Sequence, residues 1–366
     1  LMSYALNFST GVFWEIALIP IYFIVYRWGN GIETGKTFTR FFIYTFVGSL
    51  MILAAFILFY SETGISSFEL KFMIPKSLDG NVKILFTALL FVGFGVKIPI
   101  FPLHSWQANT YKKAPAEGTI LLSGIMLKMG LYGVYRWLVP FQENGNHAVQ
   151  TVMMVLCVIG VLYGGIIALR RNDLKLIAAF SSLSHVGLIA AGIFAYKYTG
   201  FQGSVLQMVV HGINIVGLFY VIDLIEHSTG TRKLNELGGI ASKSPIFASL
   251  AFVIILGAIA VPLTNGFPGE LLLLFSVFIE NQVSGIIAGI TIIIGAAYML
   301  RVFQLAFMGE VSTKVENFKP ISTTHLIALG FICLLVFVIG LYPQYILDLT
   351  ANGSQYLVNL LEIKHN

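Results

Sequence analysis

Apolar runs of about twenty residues recur down this chain, and that is the length a helix needs to cross the hydrocarbon of a bilayer. Ten such runs can be drawn: 8–27, 39–60, 83–113, 115–138, 151–169, 173–196, 202–225, 245–280, 283–308 and 323–345. A last stretch, 346–363, alternates apolar and polar residues at helical spacing and is expected to lie at the membrane surface. With 57% hydrophobic and only 11% charged residues, the chain has more apolar side chain than one aqueous core could cover. The expected fold is therefore all-α and polytopic. Cys157 and Cys333 each fall inside an apolar run, outside any CxxC or Cys/His cluster, which removes disulfide, zinc and iron–sulfur readings. A sequence that begins on Leu1 is expected to lack its natural start.

Two runs are too long for one straight span, and both carry helix breakers. Pro99 and Pro102 interrupt 83–113; Pro262, Asn265, Gly266, Pro268 and Gly269 interrupt 245–280. Discontinuous helices follow, tolerated in a bilayer only where the freed backbone faces protein or a watery cavity. Of the lysines and arginines, fourteen fall in loops after the odd-numbered runs and six on the other side. That bias marks the richer side as cytoplasmic and places residue 1 outside. The two broken spans then sit five apart and run in opposite directions, as in transporters built from inverted repeats.

Several ionisable residues fall where an apolar span should have none. Glu15 is near the middle of the first run, Lys97 lies just before the break in the third, and Lys128 is deep in the fourth. His185 follows Ser181 by one turn; His211 follows Gln207 by one turn and precedes Asn214 by another. Glu270 immediately follows the break in the eighth run. A charge at a helix centre costs at least about 2.5 kcal/mol on insertion scales. Each residue has a structural alternative: a snorkelling lysine, a helix-capping glutamate, a histidine that only bridges two helices. Together they suit proton relay, because burial makes an amine give up its proton more readily and a carboxyl hold it longer. Histidine and water carry protons between such stations. No Gly-rich phosphate loop or metal-ligand spacing accompanies them, so the driving energy is expected from elsewhere.

At these residues the sequence resembles the antiporter-like membrane subunits of respiratory complex I, above all the M type (the mitochondrial subunit 4 type) of the proton-pumping NADH–quinone oxidoreductase. The likeness rests on FWEIALIPIYFIVYRWG around Glu15, GFGVKIPIFPLHSW around Lys97 and LLSGIMLKMGLYGVYRW around Lys128. It continues through RRNDLKLIAAFSSLSHVGL with His185, QMVVHGI with His211, TRKLNELGGIASKSP, FPGELL with Glu270, AAYMLRVFQLAFMG and GLYPQ. One departure stands out: after Trp106 the family usually reads LPDAH, whereas Gln107 to Tyr111 read QANTY here.

The resemblance implies a fourteen-span subunit of which these ten runs are the fifth to fourteenth, residues 1–345 forming the translocating unit and 346–366 a surface segment. It implies that Glu15 pairs with Lys97, and that Lys128 links through the two histidines to Glu270. It also implies a multi-pass protein of the bacterial cytoplasmic membrane, partnered by sister antiporter-like subunits and other membrane subunits, with no nucleic acid. The chain would serve a translocating oxidoreductase without its own redox site, cofactor or metal; flavin, iron–sulfur clusters and quinone would belong to partner subunits. A multisubunit cation/proton antiporter or a membrane-bound hydrogenase shares the same helices and remains the alternative.

Overall fold

A computed structural model describes residues 16–30, 33–64, 78, 80–142 and 147–362. Helices α1 (Ile16–Trp28) and α2 (Thr34–Thr63) come first, then α3 (Gly80–Lys97) and the short α4 (Gln107–Lys113). Next are α5 (Ala116–Gln142), α6 (His147–Arg170), α7 (Leu174–Phe194) and α8 (Tyr198–Thr229). The last five are α9 (Pro245–Ala258), α10 (Gly266–Glu280), α11 (Gln282–Phe307), α12 (Thr323–Leu341) and α13 (Gln344–Glu362). Among the described residues, eight helices are long and apolar enough to cross a membrane. No strand occurs among them, only an isolated bridge between Asp173 and Lys233.

Both expected breaks are present. Run 83–113 divides into α3 and α4, and run 245–280 into α9 and α10. Neither half of the second broken helix, at 14 and 15 residues, could span the hydrocarbon alone. The freed backbone is patched in each case. Trp106 donates its indole N–H to Val96 O at 2.9 Å, and Ile100 N bonds back to Gly95 O. At the second break, Asn214 of α8 donates to Gly257 O at 2.9 Å, and its amide exchanges bonds with that of Asn265 at 3.0 and 3.1 Å.

The two broken helices run in opposite directions, and the loop contacts fix this. On the basic face, Asp173 caps α7 by accepting from Lys175 N and Leu176 N, and pairs with Arg232 at 2.9 Å. Arg232 also meets Glu226 at 3.3 Å, while Lys175 donates to Ala114 O at the end of α4. Arg301 of α11 closes the end of α6 by donating to Leu169 O. On the opposite face, α10 ends at Glu280 against Lys197 and the start of α6. So α3–α4 runs toward the basic face and α9–α10 away from it.

Without a strong hydrophobic drive between helices in lipid, close packing of small residues holds the bundle. A Cβ on Gly164 of α6 would lie 2.8 Å from Phe180 O, so only glycine lets α6 approach α7 this closely. Helix α7 is buried nearly end to end at the centre, whereas α12 turns Ile327, Phe331, Leu334 and Val338 outward. The terminal helix α13 packs against α8 through Gln202, which donates to Thr350 and Ser354. Its outer side exposes Tyr345, Leu349 and Tyr356, in keeping with the amphipathic expectation.

Candidate functional site

Lys128 is placed by an irregular stretch of α5. A π turn over Leu122–Met126 precedes it and a second, Val134–Leu138, follows. Such turns leave carbonyls without their usual helical donors and often mark functional positions. Here Lys128 Nζ folds back onto Ser123 O at 2.5 Å, inside the first π turn. The same amine lies 2.8 Å from His211 Nδ1 on α8. Nothing in the sequence announced the π turns.

From His211 the row continues to α7. The His211 and His185 ring centroids are 5.9 Å apart, tilted by 50°, and no direct hydrogen bond joins them. His185 Nδ1 then stands 2.8 Å from Glu270 Oε1, at ion-pair distance but off the line of a hydrogen bond, so a small turn of the ring or carboxyl is needed to align them. Lys128, His211, His185 and Glu270 thus form one buried row across α5, α8, α7 and α10. Lys97 is buried at the end of α3, packed where α3 meets Gly130 of α5, two residues beyond Lys128. Glu15 lies outside the described residues, and so does its expected pairing with Lys97.

Two small cavities flank the row. One, of about 10 Å³, is lined by Ser181, His185, Gln207, His211 and Asn214 among others. His211 Nε2 and Gln207 Oε1 are both buried without a partner. With Nδ1 facing an ammonium donor, neutral His211 carries its proton on Nε2, so one water could accept from it and donate to Gln207. The other cavity, of about 20 Å³, is lined by Ser184, His185, Glu270, Thr291 and Tyr298. Each is at or just above the size of a single water with several polar partners.

Tyr298 is a member that sequence reasoning missed. Its hydroxyl donates to Ser181 Oγ at 3.0 Å, and its ring closes the Glu270 cavity. Its only signal was a tyrosine within the apolar run 283–308. The divergent segment after Trp106 forms α4, with Gln107, Thr110 and Tyr111 buried rather than presented to solvent. Among the described residues, no group of three or more His, Cys, Asp or Glu side chains could hold a metal ion.

Comparison with known proteins identifies the family and the fold. The family described as NADH:quinone oxidoreductase/Mrp antiporter, transmembrane, matches residues 8–338. NADH-quinone oxidoreductase subunit M of Rickettsia typhi is 34% identical over 342 residues, covering 92% of this chain and 68% of its own. The F(420)H(2) dehydrogenase subunit M of Methanosarcina mazei is 36% identical over 364 residues, covering 95% of this chain and 72% of its own. A chain of respiratory complex I from Thermus thermophilus superposes with a TM-score of 0.90 at 27% identity, over 96% of this chain and 74% of that one. In the Mrp complex of a Dietzia species the same fold recurs, with a TM-score of 0.87 at 21% identity, over 98% of this chain and 74% of that one. Matched along nearly its whole described length, the chain belongs to the NADH:quinone oxidoreductase/Mrp antiporter transmembrane family.

Proposed function

We propose that this chain is a proton-translocating membrane subunit of an NADH–quinone oxidoreductase, moving protons through Lys128, His211, His185 and Glu270 while quinone is reduced in neighbouring subunits. The observation that carries this is the buried row itself: two contacts of 2.8 Å joined by a pair of imidazoles, between two broken helices. Glu15 and Lys97 would extend it on the α1–α3 side.

The chemistry needs only proton exchange. An N–H of Lys128 breaks as His211 Nδ1 gains the proton, and the resulting imidazolium releases its Nε2 proton to water. That water, or the next, delivers a proton to His185, which passes it from Nδ1 to the Glu270 carboxylate. Imidazole suits this because one ring nitrogen can take a proton while the other gives one up. Enclosure makes the relay sensitive to charge, since a charge nearby is felt more strongly in a low-dielectric interior than in water. A charge arriving at one end would therefore shift the protonation of the next station.

We place residues 1–345 in the translocating unit and 346–366 at the surface, in a bacterial cytoplasmic membrane beside sister antiporter-like subunits. Flavin, iron–sulfur clusters and quinone belong, on this reading, to partner subunits, and this chain has no redox site. A second reading, with an electron donor other than NADH, rests on the 36% identity to the F(420)H(2) dehydrogenase subunit M of Methanosarcina mazei. It leaves the relay unchanged.

The test is Lys128→Ala and Glu270→Gln in the assembled complex, with quinone reduction and proton uptake into vesicles measured together. Both variants are expected to assemble and to lose proton translocation. Wild-type proton yield in both would sink the reading.

A further inference from the structure

Helix α10 carries an acid at each end of its inward side. Glu270, Leu273, Ser276 and Val277 are buried along it, and Glu280 closes it with a side chain only 12% exposed. Ten residues at 1.5 Å each put the two carboxyls about 15 Å apart along the axis, which is the way from the middle of the bundle to its less basic face. An anion at a helix C-terminus is disfavoured by the macrodipole, so Glu280 depends on its neighbours. Lys197 Nζ, in the turn between α7 and α8, is 3.0 Å away. Gln150 of α6 donates to Oε1 at 3.1 Å, and exposed His147 of α6 stands at 3.7 Å. Gln150 also donates to Phe194 O, the end of the helix that bears His185.

Between the two acids lies a polar atom that nothing yet explains. Ser276 Oγ is fully buried there without a partner. A Cβ on Gly200 would lie 2.4 Å from Ser276 Oγ, so the start of α8 comes close to that hydroxyl. Leu273 fills the space on the Glu270 side, where a Cβ on Gly192 would lie 2.2 Å from its Cδ2. Buried hydroxyls are normally satisfied, so Ser276 Oγ marks a polar point left open on the inward side of α10.

We propose that Glu280 is the release-side proton station of this chain, reached from Glu270 along the inward side of α10 past Leu273 and Ser276. The inference rests on the relay reading above. The O–H of protonated Glu270 breaks and its proton passes to water admitted along this side of α10, then from water to water over about 9 Å to the level of Ser276. A water there protonates the Glu280 carboxylate, and Glu280 returns a proton to solvent on the less basic face, leaving both acids as they began. Leu273 fills that side between the two acids and has to shift for water to enter. Lys197, His147 and Gln150 set the charge and hydrogen bonding that Glu280 faces.

The experiment compares variants in the assembled complex in sealed vesicles, reading protons moved per quinone reduced and the pH profile on the release side. Glu280→Gln keeps the bond to Gln150 and is expected to lose proton release. Glu280→Asp restores it. Ser276→Ala lowers it in part, and Lys197→Met keeps pumping but displaces the release-side pH profile. The proposal is overturned if Glu270→Gln stops translocation while Glu280→Gln pumps as wild type. It is equally overturned if Lys197→Met loses as much as Glu280→Gln, since the ion pair would then be a strut. Should Glu270→Gln itself pump normally, the relay reading fails and takes this proposal with it.

Discussion

The two broken helices solve the same problem differently. At the first break, between α3 and α4, the freed carbonyl of Val96 is taken by Trp106, ten residues along the same segment. At the second, between α9 and α10, Gly257 O and Asn265 are held by Asn214, a residue of α8. Asn214 sits one turn from His211, so the second break is hydrogen-bonded to a helix of the relay, whereas the freed Val96 carbonyl of the first is met within its own segment. The charges differ in a related way. Lys97 is the last residue of α3, where the macrodipole favours a cation; Glu270 stands just past the first turn of α10, near the end that favours an anion. One break is a local fold that ends at a charge. The other is a joint between the helix of Glu270 and the helix of His211.

The largest effect is expected where that joint is cut. Asn214→Leu orphans Gly257 O and the Asn265 amide, at about 1–3 kcal/mol for each buried group left unpaired. It should lower thermal stability and also uncouple translocation from quinone reduction. Trp106→Phe orphans one acceptor and keeps an aromatic ring near Phe41, whose centroid is 5.1 Å from that of Trp106. Its cost should be about 1–3 kcal/mol with coupling preserved. Thermal unfolding of the complex and proton-to-electron ratios measure both. Equal loss of coupling in the two variants would erase the distinction.

A milder contrast comes from the glycines beside each break. A Cβ on Gly266 would lie 2.5 Å from Gly257 O and 3.0 Å from Ala260 Cα, both backbone atoms of the second break. A Cβ on Gly130 would meet mainly the side chain of Ile98, 2.6 Å from its Cγ1, which can move. Gly266→Ala is therefore expected to cost about 3 kcal/mol and to disturb pumping, and Gly130→Ala about 1 kcal/mol. Matching stability losses would show that the first break is as rigidly packed as the second.

How far this contrast was legible in the sequence depends on range. The breaks were visible because Pro99, Pro102, Pro262 and Pro268 act locally, and the buried stations because a charge in an apolar run is conspicuous. Family resemblance implied only a path from Lys128 through the two histidines to Glu270, with the histidines taken in chain order; the distances reverse them, setting His211 beside Lys128 and His185 beside Glu270. What the sequence withheld was pairing across helices. Asn214 reads as one polar residue on the face of His211; only packing reveals that it patches a carbonyl forty-three positions away. The π turns around Lys128 leave no compositional mark, since Leu122–Met126 reads as ordinary helix. Tyr298 and Glu280 become conspicuous only through their partners on α7 and α6.

The smallest expected effect sits inside the first break, at His104. Its ring stacks between Phe101 and Tyr163, with centroids 5.5 and 4.8 Å away, and its buried Nδ1 has no hydrogen-bond partner. An unsatisfied buried polar atom gives little stability, and an apolar side chain of similar shape can replace it at almost no cost. His104→Phe should therefore leave thermal stability within about 1 kcal/mol and proton yield unchanged. His185→Phe, at the second break, removes the 2.8 Å contact with Glu270 and should end translocation. The pair asks whether a histidine matters because it lies in a break or because it lies in the row. If His104→Phe also ends translocation with quinone reduction intact, the first break carries protons too, and the contrast between a closed loop and a proton joint is wrong.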